Sequence, residues 1–250
     1  MNKGNTYFAR SRVRHKNGLW SNWSSGFEFS IVQPGNVINS FSAPGSSPYG
    51  VIVDSNGNLI SSDYDGAGTI YVHDGISSTT TNSFSSPDNN PQELTIDSND
   101  NLISIDNNTN KIYIYQGISS TVTSSFSSPD NNPFGLAIDS NGNLISGDFD
   151  GAGKIYIHQG ISATTTSSFN TPGGNPKGLT IDSSGNLISA DASTNPGKIY
   201  IHQGISSTIT SNFNSPGGFP LGLAIDSNGN LIVIALDSNS NIWKFYIVEF

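Results

Sequence analysis

The residues DSNGNLIS at 54–61 return unchanged at 139–146, and three further copies read DSNDNLIS (97–104), DSSGNLIS (182–189) and DSNGNLIV (226–233). Asn-Gly between apolar flanks is a strong short-range hairpin signal, because a tight primed turn needs residues that tolerate positive φ. The flanks alternate, as in GLAID (135–139) and LIS (144–146), so residues two apart share a sheet face. DSNGNL is therefore predicted to join two short antiparallel strands, once per copy.

The surrounding sequence repeats in step. Phe41, Phe84, Phe126, Phe169 and Phe213 precede successive units, roughly 43 residues apart. After each hairpin comes a third strand: TIYVH (69–73), KIYIY (111–115), KIYIH (154–158 and 198–202) and NIWKF (241–245). A fourth, rich in Thr and Ser, follows as TTTNSF (79–84), TVTSSF (121–126), TTTSSF (164–169) and TITSNF (208–213). Four strands in such a unit make a propeller blade. The last unit stops after its third strand, and NVINSF (36–41) ahead of the first unit has the fourth-strand pattern. Pairing the two would close the ring and remove its open edges. The expected architecture is all-β: residues 36–250 form a five-bladed β-propeller of four-stranded blades, closed by an N-terminal strand joining the last blade. A separate β-hairpin is expected within residues 1–35.

The pattern P-x-G-L-A-I-D-S-N-G-N-L followed by K-I-Y-I resembles the NHL-type β-propeller repeats over residues 36–250. Five blades is fewer than that family usually shows. The resemblance implies a fold more than a function, since propellers host lyases, lactonases, lectins and plain scaffolds. Residues 6–32, TYFARSRVRHKNGLWSNWSSGFEFSIV, do not share the repeat. Their alternation, KNG turn and paired tryptophans resemble the last two strands of a fibronectin type III domain. An isolated hairpin is marginal in water, so it needs a partner. It is cut from a longer chain, or a remnant, or it docks on the propeller or another subunit.

Composition narrows the function classes. The chain has no cysteine, which excludes disulfides and thiol chemistry. No stretch is long and apolar enough to span a membrane as a helix. The start carries basic residues without the apolar centre of a secretory signal peptide, so none is expected in this chain. Residues 1–35 hold five basic residues against Glu28 alone, while the remainder holds five against eighteen acidic ones. An acidic propeller repels phosphate, so no nucleic-acid partner is expected.

Comparing the five units shows where they differ. The DSNGN and HQGIS turns scarcely change. The loop entering each blade does (APGSSPYG, SPDNNPQE, SPDNNPFG, TPGGNPKG, SPGGFPLG), and so does the loop between second and third strands (SDYDGAG, IDNNTN, GDFDGAG, ADASTNPG, ALDSNSN). Both loops fall on one face of a propeller, so a ligand site is expected there, at the ring mouth. Tyr49, Gln92, Phe134, Lys177 and Leu221 fill one slot in successive blades, beside Glu93, Asp63, Tyr64, Asp65, Asp106, Asp148, Phe149, Asp150 and Asp191. Aromatic rings beside carboxylates and amides suit carbohydrate, which offers apolar faces and hydroxyls together.

Other chemistry is less well supplied. DSNGN resembles part of a calcium loop but carries one carboxylate and lacks the distant bidentate Glu, so no metal is assigned there. DYDGAG and DFDGAG, with two carboxylates each, are better candidates. His73, His158 and His202 share one repeat position and are read as structural. Glu93 with Asp106 imitates part of the metal site of lactonase-like propellers, yet no nucleophile–base pair is legible. The expectation is a binding module without catalysis or cofactor. A fibronectin-like hairpin on a Ser/Asn/Gly-rich propeller resembles phage tail and virion appendage proteins. That resemblance implies a virion or extracellular location and a cell-surface glycan or protein as partner, with residues 1–35 contacting the virion or another subunit. Two alternatives stand: a secreted or surface-attached bacterial propeller, and a metal-dependent lactonase- or lyase-like enzyme.

Overall fold

The computed structural model describes all residues except 1–5, 15, 17–19, 26, 31–34, 65 and 150–152, and omits the side chains of 6–8 and 27–30. Five four-stranded antiparallel sheets form the blades of a propeller. The innermost strands are Pro48–Val53, Pro91–Ile96, Pro133–Ile138, Pro176–Ile181 and Pro220–Ile225. Each packs beside the next around the axis, and the fifth returns to the first. The second strands, Leu59–Asp63, Leu102–Asp106, Leu144–Asp148, Leu187–Asp191 and Leu231–Asp237, are the most deeply buried. Both of their faces meet a neighbouring blade, which is why even the serines and aspartates of the first four are buried.

Ring closure follows from strand pairing. Val37–Ser42 pairs with Ile242–Val248, placing Phe41 opposite Phe245 with ring centroids 5.2 Å apart. Among the described residues the buried apolar side chains form five clusters between successive blades, with Ile103, Ile105, Leu136 and Leu144 between the second and third and Val51, Leu59, Ile232 and Ile234 between the fifth and first. Each fully buried Ile or Leu contributes about 2 kcal/mol by leaving water.

The DSNGN turn is where expected but is not the two-residue primed type. Residues 54–58 form a longer loop in which the Asp54 N–H donates to Asn58 O (2.9 Å) and the Gly57 N–H to Asp54 O (3.0 Å). Only Gly57 takes positive φ there, at 82°. The Asp54 carboxylate explains the difference. Its Oδ1 accepts the N–H groups of Asn56 (2.9 Å) and Asn58 (2.7 Å), so the side chain stands in for the missing ladder bonds. Asp97, Asp139, Asp182 and Asp226 repeat the arrangement.

In the N-terminal segment Thr6–Ala9 pairs with Phe27–Ser30, forming the expected hairpin. Further out, the Ser11 N–H donates to Ser24 Oγ (3.0 Å) and the Val13 N–H to Ser21 Oγ (2.9 Å). The Arg12 guanidinium lies 4.4 Å and 4.6 Å from the ring centroids of Trp20 and Trp23, a cation–π contact with each.

Candidate functional site at the axial mouth

Innermost strands present an unpaired edge of N–H and C=O groups to the propeller axis. Close approach of five such edges requires small residues. At Gly50, Gly178 and Gly222 an added Cβ would lie 2.3 to 2.5 Å from the backbone oxygens of Gln92, Leu221 and Tyr49 in the next blade. The second blade alone carries a side chain at this position, Glu93, which is 2% exposed. Its Oε1 accepts the N–H groups of Val51 (2.8 Å) and Leu94 (3.2 Å). The N–H groups of Leu223 and Leu179 also reach the carboxylate. One carboxylate thus satisfies edge donors from four blades, a demand that buried N–H groups impose. Burial pushes the Glu93 carboxyl well above the usual carboxylate range, against the pull of those four donors.

Glu93 also lines a small cavity with the five slot residues Tyr49, Gln92, Phe134, Lys177 and Leu221, so the structure gathers the whole expected slot. The cavity measures about 10 Å³, room for roughly one water. Gln92 is 3% exposed, and its Oε1 has no hydrogen-bond partner, while its Nε2 donates to Asn90 Oδ1. Lys177 reaches from the fourth blade over the aromatic pair of the third. Its Nζ is 3.2 Å from the centroid of Phe134 and 5.0 Å from that of Phe149, and those two rings meet edge-on. Burial lowers the amine to about 8, although nearby Asp191 pulls the other way. The first blade has a matching edge-on pair, Tyr49 and Tyr64.

The neighbouring aspartates do different work from that expected. Asp63, Asp106, Asp148 and Asp191 are buried, and each Oδ2 accepts a backbone N–H of its own blade's entering loop, from Ser47, Asn90, Asn132 and Asn175 respectively. They hold the loops and are not presented to a ligand. Asp106 also takes the N–H groups of Asn108 and Thr109, so it does not join Glu93 in a metal site. Asp65 and Asp150, the second carboxylates of DYDGAG and DFDGAG, lie outside the described residues. Among the described residues no three His, Asp or Glu side chains gather as a metal-binding group. Tyr64 and Phe149 are 45% and 40% exposed, so their rings flank the mouth.

The histidines are structural. His73, His158 and His202 are buried, with Nε2 2.8 to 2.9 Å from the hydroxyls of Ser61, Ser146 and Ser189. Each Nδ1 donates to a carbonyl, of Ser77, Ser162 or Ser206. Burial lowers all three pKa values, partly offset by the carbonyl bond. Tyr115 replaces the histidine in the second blade, bonding Ser104 at 2.9 Å.

Sequence reasoning missed a hollow on the opposite face that is far larger than the mouth cavity. The turns of the second and third blades, at 97–99 and 139–142, border a bowl of about 690 Å³ whose wall also takes Ile52, Ile181 and Ile225 from the other innermost strands. The signal was present in the ring of residues closing the innermost strands, Val53, Ile96, Ile138, Ile181 and Ile225, which stay half-buried beside the turns.

No family model matches the chain, and no curated protein does. Solved structures do. Glutaminyl cyclase from Myxococcus xanthus is similar with a TM-score of 0.69 and 12% identity over 86% of this chain and 95% of that one. Virginiamycin B lyase from Staphylococcus aureus is similar with a TM-score of 0.52 and 19% identity over 83% and 73%. The WD40 propeller of Doa1 is similar with a TM-score of 0.51 and 16% identity over 77% and 61%. The expectation that this chain is not an enzyme is corrected here. It rested on the lack of a legible nucleophile–base pair, whereas propellers of this shape include a cyclase and a lyase. The mouth of this ring is itself asymmetric, with one amine among its five slot residues and the Glu93 carboxyl beside them. What the chain shares with these structures is the β-propeller fold.

Proposed function

We propose that the axial mouth is the reacting centre of an acid–base enzyme of cyclase or lyase type, with Lys177 as the proton-carrying amine. The observation that carries this reading is the placement of Lys177: a half-buried amine against two aromatic rings, lowered to about 8. An amine titrating near neutrality can take a proton from substrate without being permanently protonated. Gln92 Oε1 supports the reading, because a buried acceptor without a partner suits an N–H or O–H of a bound molecule. The cavity is too small to enclose a substrate, so the substrate lies across the mouth on the exposed faces of Tyr64 and Phe149. Ring closure and eliminative bond cleavage both need a proton moved at one atom while a bond forms or breaks at another. The neighbours named as a cyclase and a lyase fit that requirement.

The test is turnover of an N-terminal glutaminyl peptide and of virginiamycin B between pH 6 and 9. Activity on either should rise through about pH 8, as Lys177 loses its proton, and vanish in Lys177→Met. Absence of turnover of both by the unaltered chain, or turnover that survives Lys177→Met, would overturn the reading.

A further inference from the structure

The turn face carries a feature that the mouth does not explain: one groove shape recurs between adjacent blades. Between the third and fourth blades a groove of about 580 Å³ has Ile138 and Ile181 at its base and Ser140, Asn141 and Ser183 on its walls. Between the fifth and first, a groove of about 410 Å³ pairs Ile225 with Val53 and Ser227 with Ser55 and Asn56. The bowl opens into the same arrangement between the second and third blades. These volumes suit small molecules.

The chemistry of the walls is defined by what the turns have already used. Each turn aspartate bonds its own loop: Asp139 Oδ1 accepts the N–H groups of Asn141 and Asn143, and its Oδ2 accepts Asn143 Nδ2. Asp182 and Asp226 do the same. Two turn aspartates line each groove with their carboxylates already engaged by the loops. The other polar groups are neutral hydroxyls and amides above an aliphatic base, and no lysine or arginine is among the lining residues of the three. An anion finds no counter-charge here. A sugar ring, apolar on one face and hydroxylated at its rim, fits both surfaces.

One blade departs from the pattern. In the open grooves the later turn contributes a glycine, Gly142, Gly185 or Gly57, whose missing Cβ would meet nothing within 4 Å. The second blade has Asp100 there, held at φ 59°, a conformation few non-glycine residues adopt. Its Oδ2 accepts a 2.7 Å hydrogen bond from Ser55 Oγ of the first blade, spanning the corresponding space.

We infer that the inter-blade grooves of the turn face are repeated saccharide-binding sites, and that the Ser55–Asp100 bridge closes the one between the first and second blades. Repetition then gives multivalent attachment to a glycan surface, where several weak sites on one rigid ring act together.

The test counts sugars bound to the full chain by native mass spectrometry, with titration calorimetry, using N-acetylglucosamine, galactose and methyl mannoside as probes. At least one sugar should bind with more than one copy per chain. Asp100→Gly should add one copy, Ser140→Arg should remove at least one, and Lys177→Met should leave the count unchanged. Failure of all three sugars to bind, or a single copy indifferent to Asp100→Gly, would overturn the inference. Neither result bears on the mouth, whose readout is turnover.

Discussion

The two faces of this ring are built on opposite terms. On the turn face every blade makes the same local hydrogen bonds, with an aspartate holding its own five-residue loop. On the loop face the blades cooperate, and a group in one is satisfied by others: Glu93 by donors of the first, second, fourth and fifth blades, Lys177 by the rings of the third. Repetition suffices for the first kind of structure. The second kind requires each copy to differ in a particular way, which is how a nearly symmetric ring acquires one distinct centre.

Substitutions can break this contrast at its strongest point first. Glu93→Leu should be the most damaging, since it removes the acceptor for N–H groups of several blades in a dry axis. A loss of about 3 kcal/mol is expected, seen as a lower urea midpoint. An unchanged midpoint would mean that water serves those donors equally well.

The buried histidines should come next. His202→Phe leaves the Ser189 hydroxyl without its partner and should cost about 1–2 kcal/mol. The fifth blade already carries Val233 and Phe245 at these positions, so the double change Ser189→Val with His202→Phe should recover most of the loss. The same histidines give the stability its pH dependence. Their folded pKa values are lowered, so below about 6.5 the unfolded chain binds more protons than the folded one. Stability is therefore full above that pH and falls as pH drops through it, and the double variant should show a shallower fall in thermal midpoint.

On the turn face effects should be smaller and alike from blade to blade. Asp139→Ala should cost about 1 kcal/mol, and Asp182→Ala the same within error, because each removes only its own loop's bonds. A large difference between these two would show that the turns are coupled after all. Asp100→Gly should change stability least, by under about 0.5 kcal/mol, since relief of a positive φ offsets an exposed hydrogen bond to Ser55.

The sequence was most informative where the physics is local. Alternating apolar residues and the DSNGN loops are specified within one repeat, and counting strands per repeat exposed the displaced NVINSF strand, so blade number, strand order and ring closure could all be read before any contact was known. The turn type was misjudged because a side chain, Asp54, supplied hydrogen bonds that backbone patterning does not reveal. The mouth slot was legible as a set, since equivalent positions of a closed ring must converge. Its chemistry was not. Asp63, Asp106, Asp148 and Asp191 read as ligand groups until the structure placed a backbone donor on each, while Glu93 read as a metal-site fragment until four blades placed theirs around it. The Asp100 bridge and the Lys177 cage likewise join residues of different blades. Only tertiary structure decides such contacts, because the partners share no local sequence and come within reach only when the ring has closed.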